Sequence, residues 1–515
     1  MKTRKNKIDW MITLVPLILI CGLGLLFFVV PAESNRVLGQ VRFFFGDTLG
    51  AFYIVAGLGI FLVSVYLCLS KYGDIVLGSP GEKPKYSFFA WGSMMFTCGL
   101  AADILFYSFS EWVMYATNPH IAELGTMQEW AGVFPLFHWS FIPWAFYLVL
   151  AAAFGFMLHV RKRSRQRFSE ACRPLLGKQT DGAVGRVIDL LAVFALLAGT
   201  ATTFSVATPL MAVILQSLLH ISISRTVITI AIIALTCVVY TYSLLHGFRG
   251  ISVLANVCIY LFFGLILFVL LAGGQGQYII ETGIESFGRM VQNFIGLSTY
   301  MDPLRSTNFA QDWTIYYWAY WMVWCVAAPF FIGSISQGRT VRQTIAGGYL
   351  FGVGSTLVSF IVFGNYSLGL QTGGMADFLG GYLAKGDLYT MIIDILRTLP
   401  WGTLVMVWVL ATMVAFYATS FDSIAYTASC YSYYRLEEGE QPHKVIQLLW
   451  CVLLIVLPVA LMFSESSMSN IQTVSILAAF PVGIIMILII ASFLKDAGKY
   501  LTEAAEDCKT RSDGI

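Results

Sequence analysis

The sequence predicts an all-α membrane protein of about twelve transmembrane helices, and three observations predict it. The 515 residues are 58% hydrophobic and only 12% charged, with a mean hydropathy of +0.75, a balance that suits bilayer rather than water. Apolar runs long enough to cross hydrocarbon, roughly 20 residues each, recur from Trp10 to about Phe493. Finally, Lys and Arg gather in alternate loops.

Taken in order, the expected spans are 11–31, 49–71, 88–116, 133–160, 184–218, 223–245, 250–274, 312–333, 342–364, 402–431, 445–464 and 471–494, called spans one to twelve below. The first follows Lys2, Arg4, Lys5 and Lys7 in the manner of a signal peptide. It is too long for one and no small-residue cleavage site follows Pro31, so it is read as a span. No separate soluble domain is expected.

Basic residues accumulate in short cytoplasmic loops. The loop after span four holds Arg161, Lys162, Arg163, Arg165, Arg167, Arg173 and Lys178, and that after span two holds Lys71, Lys83 and Lys85; the loop 117–132 has neither Lys nor Arg. With a basic start and a tail carrying Lys495, Lys499, Lys509 and Arg511, this places both termini in the cytoplasm of a multi-pass protein of the plasma (inner) membrane. The segment 278–295 repeats Ile280, Ile284, Phe287, Met290, Val291 and Phe294 at helical spacing among charges, and is expected to lie along the outer membrane surface.

Two spans look interrupted. Span three contains Gly99, Leu100, Ala101, Ala102 and Asp103, and span eight contains Ala327, Ala328, Pro329 and Gly333. Small residues and proline weaken the helical ladder, although small residues also serve close helix packing. The two lie five spans apart, as an inverted repeat of five plus five requires.

Span eight opens Asp312-Trp313-Thr314-Ile315-Tyr316-Tyr317-Trp318-Ala319-Tyr320-Trp321 and runs on to Trp324. Tyr320 and Trp324, and Trp321 and Trp324, stand four and three residues apart, so they share a face deeper than an interfacial belt reaches. Span four adds Phe137-His138-Trp139, Pro143-Trp144 and Tyr147, with Pro143 a candidate kink. Ring faces attract a methylated ammonium by about 0.5–2 kcal/mol each once water is excluded; the competing reading is a bundle core filled with rings.

The span-eight run resembles the signature of the betaine/carnitine/choline transporter family, an acidic or small residue followed by Trp-Thr-x-aromatic-Trp-x-Trp-Trp, with Tyr320 in place of the first Trp of the final pair. Phe137-His138-Trp139 with Pro143-Trp144, Ile335-Ser336 with Gly338-Arg339-Thr340, and Thr419-Ser420-x-Asp422-Ser423 extend the similarity over most of the chain. Ser334 and Gln337 depart from it, standing where relatives usually carry Arg.

The resemblance implies a LeuT-like architecture and a homotrimer. It divides the chain into a tail with two peripheral helices (1–87), a first five-helix repeat (88–274), a surface helix and loop (275–311), a second repeat (312–494) and a short cytoplasmic tail (495–515). It also implies an aromatic box of Trp139, Trp144, Tyr147 and Trp321, with Tyr320 and Trp324 beside it, for a small quaternary-ammonium substrate.

Asp103 is the exception in an apolar span, where a lone carboxylate costs roughly 3 kcal/mol on insertion scales. Against the family pattern it aligns with the last small residue of a Gly-x-Gly-x-Gly-like stretch. Sodium-coupled betaine carriers resemble a Gly there and proton-coupled choline carriers an Asp. An anionic Asp103 would balance choline and repel a carboxylate, so a choline-like cation taken up with a proton is expected, with Asp103 in both substrate binding and coupling. Thr419 and Ser420 match hydroxyls that supply sodium ligands in relatives, which leaves sodium symport, or substrate exchange, of carnitine or betaine as the alternative. Glu111, nearer the outer end, is read as structural.

Other classes fit less well. A net charge of +2 gives no reason to expect a nucleic-acid partner. The ten cysteines are scattered singly and form neither a disulfide framework nor a zinc motif, and no cofactor or firm metal site is expected. A membrane enzyme would need a cluster of reactive groups, and a channel a polar pore lining; neither pattern is present.

Overall fold

The computed structural model describes residues 8–98, 101–163, 165–246, 249–434, 441–462 and 468–512. Among them there is no β-strand, only the isolated bridges Ile8 with Tyr433 and Val76 with Thr340. Hydrocarbon offers the backbone no partner, so each apolar run closes its own hydrogen bonds as a helix. Six described helices are long and apolar enough to cross a membrane, and three bent pairs qualify when each pair is counted as one. The shorter apolar helices Trp10–Leu23, Gly402–Tyr417 and Lys444–Ala460 fall on spans one, ten and eleven, so every expected span has a helical counterpart.

Both expected interruptions are present. Span three is Phe88–Cys98 and Asp103–Ala116, bent by 60°; span eight is Ala310–Trp324 and Ala328–Ile335, bent by 56°. Gly99 and Leu100 lie outside the described residues. In span eight Pro329 sits in the first turn of the second piece, where its missing N–H is no loss.

Span four breaks near the expected kink, but ahead of the proline itself. The helix Val133–His138 stops, Ser140 is non-helical, and Phe141–Gly155 begins, three residues before the expected kink at Pro143. The cause is still Pro143: without an N–H it cannot bond the carbonyl four residues back, which belongs to Trp139. Thr356 supplies the replacement, its Oγ1 donating to the Trp139 carbonyl at 2.6 Å.

Several helical segments lie outside the predicted spans. Pro31–Arg42 follows span one, and Phe378–Lys385 and Leu388–Thr398 fill the connection between spans nine and ten. The final helix, Met468–Ser512, does not end at 494, so most of the tail 495–515 is helical. Its extension is clamped: Asp496 accepts from Arg161 at 3.0 Å and from Arg163 at 3.1 Å, and Ala497 is fully buried. The helix Gly276–Gln292 turns 110° from Val257–Ala272. It buries Ile279, Gly283 and Met290 and exposes Ile280, Ile284 and Val291.

The basic loop after span four is tied down by acids. Arg167, buried, donates to Asp189 at 3.0 Å and to the Tyr431 carbonyl at 2.7 Å, and Arg173 bonds Glu170 and Asp181.

Candidate functional site

The break in span three makes Asp103 the first residue of the half-helix Asp103–Ala116, with Ala102 as its cap. The positive end of a helix favours a carboxylate, so the residue that looked mid-helix in the sequence occupies a terminus instead. Asp103 is 2% exposed. Its Oδ2 accepts from Thr203 Oγ1 of span five at 3.2 Å and from the Tyr320 hydroxyl of span eight, and Thr203 and Tyr320 meet at 2.9 Å. The hydroxyl that Tyr320 brings in place of an indole is what reaches the carboxylate.

Trp321 is the hub of the ring cluster. Its centroid stands 5.5 Å from Trp139, 5.9 Å from Trp144 and 5.0 Å from Tyr147, and Trp144 meets Tyr147 at 5.7 Å. The break in span four lets Trp139 reach the same Trp321 ring as Trp144, although a continuous helix would separate residues five apart by more than a full turn. Trp139 also touches Tyr107, Tyr317, Tyr320 and Phe360. These separations favour edge-to-face packing and are too short to admit an ammonium between any two rings. A cation therefore binds on a side the rings share, or as they swing apart. The buried indole N–H groups of Trp144 and Trp321 find no acceptor among the described residues.

About two turns beyond stands a second buried carboxylate, Glu111, read from the sequence as structural. Glu111 is fully buried; its Oε2 accepts from Trp139 Nε1 at 3.0 Å and its Oε1 from the Tyr115 hydroxyl. Tyr115 meets His138 Nδ1 at 2.6 Å, and His138 Nε2 meets Thr314 Oγ1 at 3.1 Å. No Lys, Arg or His among the described residues stands within the 4.0 Å of an ion pair from either Asp103 or Glu111. The available signal was the Glu111-x-x-x-Tyr115 spacing of one helical turn, together with a neighbouring Phe137-His138-Trp139.

Other expected site residues lie apart. Trp324 closes the first piece of span eight, beside Gly199 of span five, without a ring contact to Trp139, Trp144, Tyr147 or Trp321. Ser420 is half-buried in Gly402–Tyr431, while the side chains of Thr419, Asp422 and Ser423 lie outside those described.

The site has two unlike ends. Towards the loop 117–132, a cavity of about 350 Å³ is lined by Met114 of span three, Thr117 of that loop, and Asp312 and Trp313 of span eight. Towards the basic loop the second piece of span eight packs on span four through glycines. A Cβ on Gly333 would meet the Ala151 carbonyl oxygen and the Gly155 nitrogen at 2.8 Å, and Phe154 stacks on Phe330 at 3.7 Å. Beyond it, Trp91 donates to Ser336 at 3.1 Å, the Arg339 guanidinium lies 4.1 Å from the Trp91 ring centroid, and Gly338 turns with φ +80°. The Ser336, Gly338 and Arg339 motif is thus a joint that fixes where span eight ends.

A helical multi-pass bundle with two broken spans meeting at a buried carboxylate and a ring cluster has the form of a membrane carrier. The chain belongs to the betaine/carnitine/choline transporter family: the family model described as "BCCT, betaine/carnitine/choline family transporter" matches residues 11–501. Its relatives include a carnitine transporter of Acinetobacter baumannii, 28% identical over 82% of this chain and 76% of its own. The glycine betaine transporter OpuD of Bacillus subtilis is 27% identical over 92% and 91%, and the osmo-dependent choline transporter BetT2 of Acinetobacter baylyi 26% identical over 96% and 71%.

Proposed function

We propose that this transporter carries choline or a similar small quaternary-ammonium cation, with Asp103 as its charge partner and as the proton-coupling group. One observation carries the reading: Asp103 is buried beside the ring cluster with hydroxyl donors but no cationic residue paired to it among the described residues. A buried carboxylate without a counter-charge is expensive. A bound cation, or a proton when the site is empty, removes that cost. Asp103 can thus bind and release a proton during the transport cycle.

Trp139, Trp144, Tyr147 and Trp321 form the aromatic box for the methylated head, and Tyr320 links the box to Asp103. The indole donors of Trp144 and Trp321 are available to an oxygen on the substrate's tail, which a hydroxyl and a carboxylate both offer. They do not discriminate; the Asp103 charge does, because a betaine or carnitine carboxylate nearby would be repelled. The family resemblance adds a homotrimer, and the basic loop after span four supports a cytoplasmic-membrane protein with both termini inside.

Uptake of labelled choline, glycine betaine and carnitine into proteoliposomes tests this, each with an imposed proton gradient, a sodium gradient or neither. Proton-driven choline uptake is expected. Sodium-driven or exchange-driven uptake of betaine or carnitine would overturn both the substrate and the role of Asp103.

A further inference from the structure

We infer that Glu111 is a positioning residue of the substrate site: its carboxylate fixes the orientation of the Trp139 ring. The inference deepens the proposed function and rests on its assignment of Trp139 to the box. Trp139 has an unusual need for such an anchor. It lies in the break of span four, with the non-helical Ser140 next in the chain, so no continuous helix holds its side chain direction. The backbone is pinned by Thr356 at its carbonyl, and the ring by Glu111 at its indole nitrogen, 3.0 Å away. An indole has a single N–H donor, and Glu111 Oε2 is the acceptor that takes it.

Glu111 is itself held. The chain closes with the carboxyl in either state: protonated, each bond runs outward from Glu111 while Oε2 still accepts from Trp139, and ionised, each runs inward. In the ionised state Tyr115 donates to Glu111, His138 Nδ1–H donates to Tyr115, and Thr314 donates to His138 Nε2. His138 is thereby neutral, its ring stacked on Tyr317 at 4.8 Å. The chain joins the half-helix of span three to span four and to the opening of span eight, the three elements that must keep register if the ring faces are to converge. A Gln at 111 can enter the same chain with its polarity reversed, the amide donating to Tyr115 while its oxygen still accepts from Trp139.

A double-mutant cycle in binding separates positioning from general structural support. Dissociation constants for choline, glycine betaine and tetramethylammonium, the last carrying only the methylated head, are measured on purified protein for wild type, Glu111→Ala, Glu111→Gln, Trp139→Phe and the Glu111→Ala/Trp139→Phe pair. Glu111→Ala is expected to weaken binding roughly tenfold, the scale of one misplaced ring, and Glu111→Gln to recover most of it. In the Trp139→Phe background Glu111→Ala should cost nothing further. An undiminished effect there, or no recovery by Gln, would overturn the inference.

A ligand-free readout keeps this apart from the substrate reading. The Trp139 contribution to fluorescence, obtained by subtracting the Trp139→Phe spectrum, should shift in Glu111→Ala. If no quaternary amine binds wild type, the substrate class fails while this spectrum still decides the anchor; an unshifted spectrum refutes the anchor whatever the substrate.

Discussion

The two ends of the site are built from different materials. The end facing the loop 117–132 is joined by exchangeable hydrogen bonds: Tyr107 to Tyr316 at 2.9 Å, Tyr115 to His138, His138 to Thr314, Trp139 to Glu111. The end facing the basic loop is joined by backbone against backbone at Gly155 and Gly333, and by Phe154 stacked on Phe330. Hydroxyls, indoles and imidazoles can change partners at a net cost of about 1 kcal/mol each, whereas a close-packed contact can only be kept or lost. The polar end is suited to rearranging around a ligand. The glycine end is suited to rigid separation.

Asp103 stands where the two ends meet, and its substitution has the largest expected effect. Asp103→Asn keeps size and an acceptor for Tyr320 and Thr203 but removes the charge. Losing one member of a buried charge pair costs about 2–5 kcal/mol, so choline binding should weaken roughly a hundredfold. Retained affinity would mean that the rings alone hold the cation and that the comparison has no charged centre.

Next is Gly333→Ala. Its Cβ would press on backbone atoms at 2.8 Å, while a Cβ on Gly155 meets first the flexible Leu77 side chain, at 2.9 Å. Overpacking costs about 1–3 kcal/mol, so the thermal midpoint in detergent should fall clearly for Gly333→Ala and less for Gly155→Ala. Equal losses would show that the contact at this end is softer than the geometry requires.

Thr356→Val should cost about 1–2 kcal/mol of stability, because it strips the Trp139 carbonyl of its donor within a buried break. It should also weaken tetramethylammonium binding, which wild-type affinity in the valine variant would contradict.

The fold was legible in sequence because the bilayer imposes length and hydropathy directly, and both mid-span breaks were legible because Gly, Ala and Pro mark them. The break in span four was displaced from Pro143 to Trp139 and Ser140, since proline acts on the carbonyl four residues before it and the outcome depends on Thr356, over two hundred residues away. The helical tail beyond 494 was missed because its partners, Arg161 and Arg163, served in sequence only as an orientation signal. Asp103 was visible as a charge out of place. Glu111 was visible too, but its meaning lies in Trp139 and Tyr115, which periodicity brings near without showing what they bond.

The smallest expected effect tests whether the polar end responds to protons as its materials suggest. Asp302, in the connection entering span eight, accepts from the backbone N–H groups of Ser306, Thr307 and Asn308 at 2.7–3.0 Å and from the hydroxyls of Ser306 and Thr307. Burial pushes its carboxyl up, but these hydrogen bonds outweigh burial and hold it well below the usual carboxylate range. A carboxyl depressed in the folded state contributes stability above its unfolded value, about 3.9, and loses it as pH falls through the folded value. The gap in thermal midpoint between wild type and Asp302→Ala should therefore be constant from pH 7 to pH 5 and narrow only below about pH 4. Gly333→Ala is no pH-silent reference here, because the Gly333 carbonyl oxygen stands 3.1 Å from His159 Nε2, an imidazole that can itself take up a proton over that range. A gap at Asp302 that widened as pH fell through about 6 would mean a carboxyl held up by burial rather than down by its donors. The entrance to span eight would then be tightened by mild acid, and the contrast between the two ends would extend to near-neutral pH.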